Sequence, residues 1–62
     1  MTMGNAALLL AASQVDRLDW AASALGLSDK EAVRVIRCWR MNREVKAMAE
    51  RLKPQVGRWA VE

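Results

Sequence analysis

Apolar residues recur along this chain at alternating steps of three and four, which is the spacing of one face of an α-helix. The first row is Leu8, Ala11, Val15, Leu18, Ala22 and Leu25, and the second is Val35, Cys38, Asn42, Val45, Ala49 and Leu52. The rows predict two long helices, each with a continuous packing face. Since no segment alternates with the period of two that strands show, we predict an all-α fold.

Capping signals predict where the first helix begins and ends. Asn5 can cap a helix over about residues 5–25, because a short polar side chain can accept from the free N–H groups of a first turn. Gly26 suits the left-handed position that follows a helix. We therefore expect the chain to leave the first helix at residues 26–28.

The second helix is predicted to follow this tight turn directly. Ser28 and Glu31 have the spacing of a capping box, which opens a helix over about residues 29–53. Pro54 is expected to end that helix or to kink its last turn, because proline lacks the N–H that a helix interior needs. The tail, residues 54–62, is then expected to fold back over the helices.

One two-helix hairpin cannot cover all the apolar side chains, since the first helix is apolar almost all round. Each large apolar side chain left in water forfeits about 1.5–3 kcal/mol. We therefore expect two antiparallel hairpins to pair as a homodimeric four-helix bundle. The residues expected in its core or dimer interface are Leu8, Leu9, Val15, Leu18, Trp20, Leu25, Val35, Ile36, Cys38, Asn42, Val45, Met48 and Leu52.

Two members of the second row raise separate questions. Asn42 either fixes register and oligomeric state as a polar core residue, or lies half-exposed where the row rotates away from the core. Cys38 is expected to be a small core residue, because the chain has no histidine to activate a thiol.

Composition argues against several kinds of site. With no histidine and one cysteine, neither an imidazole–metal site nor an internal disulfide can form. No Gly-rich phosphate loop or pair of catalytic carboxylates stands out. We therefore expect a non-enzymatic protein with no catalytic residue, metal or cofactor. The apolar run near the start lacks a preceding basic residue and is too short to cross a bilayer, which favours the cytoplasm.

The segment from residue 29 to residue 53 carries the basic excess, with eight cations against four carboxylates. Within this segment, four arginines stand three residues apart, from Arg34 to Arg43. Arginine is favoured for bidentate contacts to carboxylate or phosphate. Tryptophan and methionine beside it are typical of protein contact surfaces. The predicted partner-binding residues are Arg34, Arg37, Arg40, Arg43, Trp39, Met41 and Trp59. They would bind a protein with an acidic surface. The alternative is a solvated basic face, paired with glutamates at helical spacings.

The sequence WAASALGLSDKEAVRV resembles the helix-turn-helix motif of DNA-binding proteins, through Ala22, Gly26 and Val35. The resemblance implies DNA binding by the second helix. Three departures stand against it. Ala32 replaces a usually bulky residue, the predicted helix 29–53 is too long, and no third helix is predicted to complete the core. The chain is also similar, in plan and length, to RNA-binding bundles of two helical hairpins encoded by plasmids.

A capped Ala/Leu-rich helix, the turn GLSDKE and an Arg-rich second helix also resemble short phage-encoded inhibitors of the anti-quorum-sensing type. This resemblance implies a dimeric antiactivator in the host cytoplasm that binds a transcription regulator or a motor ATPase. The protein-binding function is the one that the sequence favours, with nucleic-acid binding as its alternative.

Overall fold

The computed structural model describes residues 1–60, in which the regular structure is entirely α-helical. In chain order the helices are α1 (Met3–Gln14), α2 (Leu18–Ala24), α3 (Asp29–Trp39) and α4 (Arg43–Trp59). The all-α prediction is confirmed for these residues. The prediction of two continuous helices is wrong, because each of them is divided in two.

The first division lies at Val15–Arg17, inside the helix predicted over residues 5–25. Asp16 adopts a left-handed backbone conformation with a φ of 57°, which aspartate tolerates better than most residues. The Arg17 N–H then donates to the Ala12 carbonyl at 2.8 Å. This is the bond that closes a Schellman C-cap, so the chain turns where the apolar row predicted a continuous helix.

The turn between α2 and α3 has the same kind of cap and lies where the sequence predicted it. Gly26 is left-handed with a φ of 71°, and the Leu27 N–H donates to the Ala22 carbonyl at 2.8 Å. The predicted capping box is confirmed as well. The Glu31 N–H donates to Ser28 Oγ at 3.2 Å, and the Ser28 N–H donates to Glu31 Oε1 at 3.0 Å.

The second division lies at residues 40–42, inside the helix predicted over 29–53. Asn42 is exposed and caps α4, where its Oδ1 accepts from the Val45 N–H at 3.1 Å. Its exposure contradicts the core position and agrees with the alternative, in which Asn42 lies part-exposed where the row leaves the core. Cys38 is also exposed, because α3 turns its other side to the core.

Both ends of the described chain differ from the prediction. The first helix is capped by Thr2, whose Oγ1 accepts from the Asn5 N–H at 3.2 Å, and not by Asn5. The last helix runs through Pro54 to Trp59. Pro54 is exposed on the outer side of this helix, whereas Val56, two residues later, is fully buried. Burial on the inner side thus outweighs the lost hydrogen bond. Of the tail predicted over 54–62, residues 61 and 62 lie outside the described part.

Helix α1 lies at the centre of the bundle, where it contacts α2, α3 and, most extensively, α4. Its buried residues are Ala6, Ala7, Leu9, Leu10, Ala11 and Ala12. Of the other residues predicted for the core, Val45 is buried too. Those packed half-buried against this core are Leu8, Val15, Leu18, Trp20, Leu25, Val35, Ile36, Met48 and Leu52. A helix that is apolar all round is therefore covered within one chain. The homodimer stays a prediction.

Within residues 1–60, no helix is long and apolar enough to cross a membrane.

Candidate functional site

Helix α3 has two unlike sides. Its inner side buries Ala32 and packs half-buried side chains against the core. The outer side carries four residues at the i, i+3, i+4 and i+7 spacing that brings side chains onto one helix face. They are Lys30, Val33, Arg34 and Arg37. All four are exposed. Together with Asp29 they line an open depression of about 420 Å³. We call these four residues the α3 face.

Packing against α1 and α2 holds the inner side of α3 in place. The side chain of Ala32 is completely buried, and its small size suits a close approach between helices. Gly26 keeps the turn before α3 short, and nothing lies within 4 Å of the position that a Cβ would take there. The α3 face is therefore presented by a helix that is fixed on its opposite side and at its N-terminus.

The arginines of α3 and of the following turn are exposed and, among the described residues, have no carboxylate partner. Within residues 1–60 the one ion pair joins Lys53 Nζ to Glu50 Oε2 at 2.8 Å. The nearest candidate partner on α3, Glu31, turns back on its own helix end. Hydrogen bonds from the Ser28 backbone and side chain, with the charge of Arg34, lower the pKa of Glu31. The predicted pairing of these arginines with glutamates is thus not formed in residues 1–60.

The seven predicted partner-binding residues do not share one surface. Arg34 and Arg37 lie on the α3 face, Arg40 lines a second groove against α1 and α4, and Arg43 begins α4. Trp39 packs half-buried against the core. Of the remaining two, Met41 is 76% exposed in the turn after α3, and Trp59 is 51% exposed at the end of α4.

Two residues of the α3 face, Lys30 and Val33, were not among the predicted site residues. A signal for both was present in the sequence. Lys30 precedes Arg34 by four residues and Arg37 by seven. Val33 follows Lys30 by three residues, which is also a helical spacing. Arginine at every third position does not by itself indicate this face, because steps of three wind around a helix.

Two of the three expected departures from the helix-turn-helix motif are absent from the described residues. The helix after the turn is 11 residues long, since it ends at Trp39. Helix α1 packs against both α2 and α3, so a third helix does accompany the turn. Ala32 remains a departure in size, although it occupies a buried position as the bulky residue would.

The chain has no match among protein-family models, curated proteins or solved structures. No group of histidine, cysteine or carboxylate side chains in residues 1–60 is arranged to hold a metal ion. What the fold and the α3 face define is a small helical protein that presents a cationic helix beside a tight turn.

Proposed function

We propose that this protein binds double-stranded DNA, with the α3 face directed into the major groove. The observation that carries the proposal is a row of three exposed cations on one side of a helix, Lys30, Arg34 and Arg37. None of them forms an ion pair with another residue in the range 1–60. The major groove is about 12 Å wide and admits an α-helix. A cationic helix fixed from behind by a bundle is the element that such a groove accepts.

The side chains of the α3 face suit both phosphate contacts and contacts to base edges. Lysine and arginine contact phosphates, which supplies affinity that weakens as salt rises. Arginine and lysine also form bidentate bonds with guanine edges, and an apolar side chain can contact the thymine methyl group. Val33, which lies among the cations and is 39% exposed, supplies that apolar contact. Among residues 1–60, Asp29 is the one carboxylate that lines the depression.

The test compares two double variants with the same change in charge. Arg34→Gln/Arg37→Gln alters the α3 face, whereas Arg51→Gln/Arg58→Gln alters exposed arginines of α4. Fluorescence anisotropy with a labelled random-sequence duplex measures affinity between about 50 and 200 mM salt. We expect the α3 variant to bind at least about tenfold more weakly, and its salt slope to fall by about one for each lost phosphate contact.

Both variants should keep their stability within about 0.5 kcal/mol, because they change exposed side chains. The α4 variant should keep most of the affinity. Equal losses in the two variants would reduce the interaction to net charge and reject the assignment of α3. An absence of binding at low salt would reject the DNA function itself.

The second candidate is the protein-binding inhibitor, a homodimeric antiactivator that captures a regulator with an acidic surface. The observation that favours it is the exposure of Met41 and Trp59, which are large apolar side chains outside the core. Met41→Ser/Trp59→Ser should then abolish capture of a partner from a nuclease-treated lysate, and Arg34→Gln/Arg37→Gln should weaken it. Sedimentation equilibrium would test the dimer. Both candidate functions belong in the cytoplasm.

A further inference from the structure

A second concave surface lies between α1, α3 and α4, away from the residues of the α3 face. Its volume is about 450 Å³, and Leu10, Ile36 and Ala47 supply apolar surface to its lining. Leu10 is almost completely buried and Ile36 is half-buried. Arg40, Lys46 and Glu50 supply the charged groups. We call this surface the three-helix groove.

The charges of the three-helix groove are unequally satisfied. Glu50 already forms an ion pair with Lys53, with 2.8 Å between Lys53 Nζ and Glu50 Oε2. Arg40 and Lys46 have no carboxylate within ion-pair distance in residues 1–60. The groove therefore offers two free cations beside apolar carbon. Gln14, which also lines it, adds a neutral amide that can donate or accept.

We propose that the three-helix groove binds a small amphiphilic carboxylate, whose anionic head pairs with Arg40 and Lys46 and whose aliphatic chain covers Leu10 and Ile36. Sites for small molecules are concave, largely apolar and about 300–1,000 Å³ in volume, with a few polar groups that fix orientation. The groove has that size and that division of chemistry. An arginine and a carboxylate can form two parallel hydrogen bonds, which favours a carboxylate head over a neutral one.

This inference is independent of DNA binding, because it uses residues outside the α3 face. The probe is octanoate, titrated into the ¹⁵N-labelled full chain and followed through backbone amide shifts. Octylammonium and octanol are the matched probes, since they keep the chain and reverse or remove the charge. We expect saturable shifts at Ile36, Lys46 and Ala47 with octanoate, and at least about tenfold weaker binding of both other probes.

The matched variants are Arg40→Gln/Lys46→Gln in the groove and Arg43→Gln/Arg51→Gln elsewhere on α4. The groove variant should weaken octanoate binding at least about tenfold, the loss expected for one charge-assisted hydrogen bond. The other variant should bind as the unaltered chain does. Circular dichroism checks that each is folded, and the single changes Arg40→Gln and Lys46→Gln replace the double one if it is not. An absence of saturable shifts, equal binding of octylammonium, or equal losses in both variants would overturn the proposal.

Discussion

Helices α1 and α3 are almost equal in length, with 12 and 11 residues, but they distribute their side chains in opposite ways. Helix α1 has no charged residue and is enclosed by the other three helices. Helix α3 has five charged residues and buries only Ala32 completely. Helix α1 therefore contributes mainly to the core, and α3 contributes mainly to the surface, where the proposed DNA contact lies. Substitutions in the two helices should separate these properties.

The largest effect is expected at Leu9, one of the three largest fully buried side chains in the described residues. Leu9→Ala should lower the free energy of unfolding by about 2–5 kcal/mol, through lost burial and the cavity that remains. Leu8→Ala is the matched control on the same helix, and it should cost less because Leu8 is only half-buried. Chemical denaturation followed by circular dichroism measures both. Equal losses would contradict the central position of α1.

A smaller effect is expected at Gly26, which joins α2 to α3. Gly26→Ala should destabilise by about 1–2 kcal/mol, because its φ of 71° is left-handed. The space around it is open, so the loss comes from the backbone alone. Gly57→Ala is the matched control in open space inside α4, where alanine should stabilise by about 0.5–1 kcal/mol. Thermal unfolding should show opposite signs, and the same sign for both would contradict the assigned turn.

The smallest effect is expected at Glu31, in the cap of α3. The Ser28 hydrogen bonds lower its pKa below the ordinary value of 4.5, so the folded state favours the ionised carboxylate. The ionised carboxylate therefore stabilises the folded state fully at pH values above that ordinary pKa. This stabilisation is lost as the pH falls through the lower pKa of the folded state. Glu31→Gln keeps a capping-box residue and should flatten the dependence of stability on pH in this acidic range.

The matched control for the cap of α3 is Glu44→Gln in the first turn of α4. Among residues 1–60, Glu44 accepts no hydrogen bond comparable with those of the capping box. Its replacement should leave the acidic slope of stability in place. Unfolding curves measured at several pH values compare the two variants. A slope that survives Glu31→Gln would show that other carboxylates carry it.

The fold was predictable where a helix end has a residue with one strong conformational preference. Gly26 and the pair Ser28 and Glu31 marked the turn before α3, and the structure has it there. Asp16 makes the same kind of turn at the end of α1, but aspartate is also common on exposed helix surfaces. The apolar row continued past it, so the local cap could not be recognised. Asn42 was missed for the same reason.

Much less of the candidate site could be predicted. The basic character of the second half and the importance of its arginines were evident from composition. Their division between two surfaces was not, because it depends on α3 ending at Trp39 and on α4 leaving in a new direction. Once that break is known, Lys30 joins Arg34 and Arg37, and Arg40 joins Lys46 in the three-helix groove.

The contact between α1 and α4 joins the first helix of the described chain to the last. During synthesis α1 emerges before α4, its principal neighbour, which is made only after α2 and α3. Contacts between distant parts of a sequence slow folding, because a long loop must close before they form. A chain interrupted before Arg43 would leave the apolar side of α1 uncovered, so ribosome-bound intermediates of this length should be prone to aggregate or to recruit chaperones.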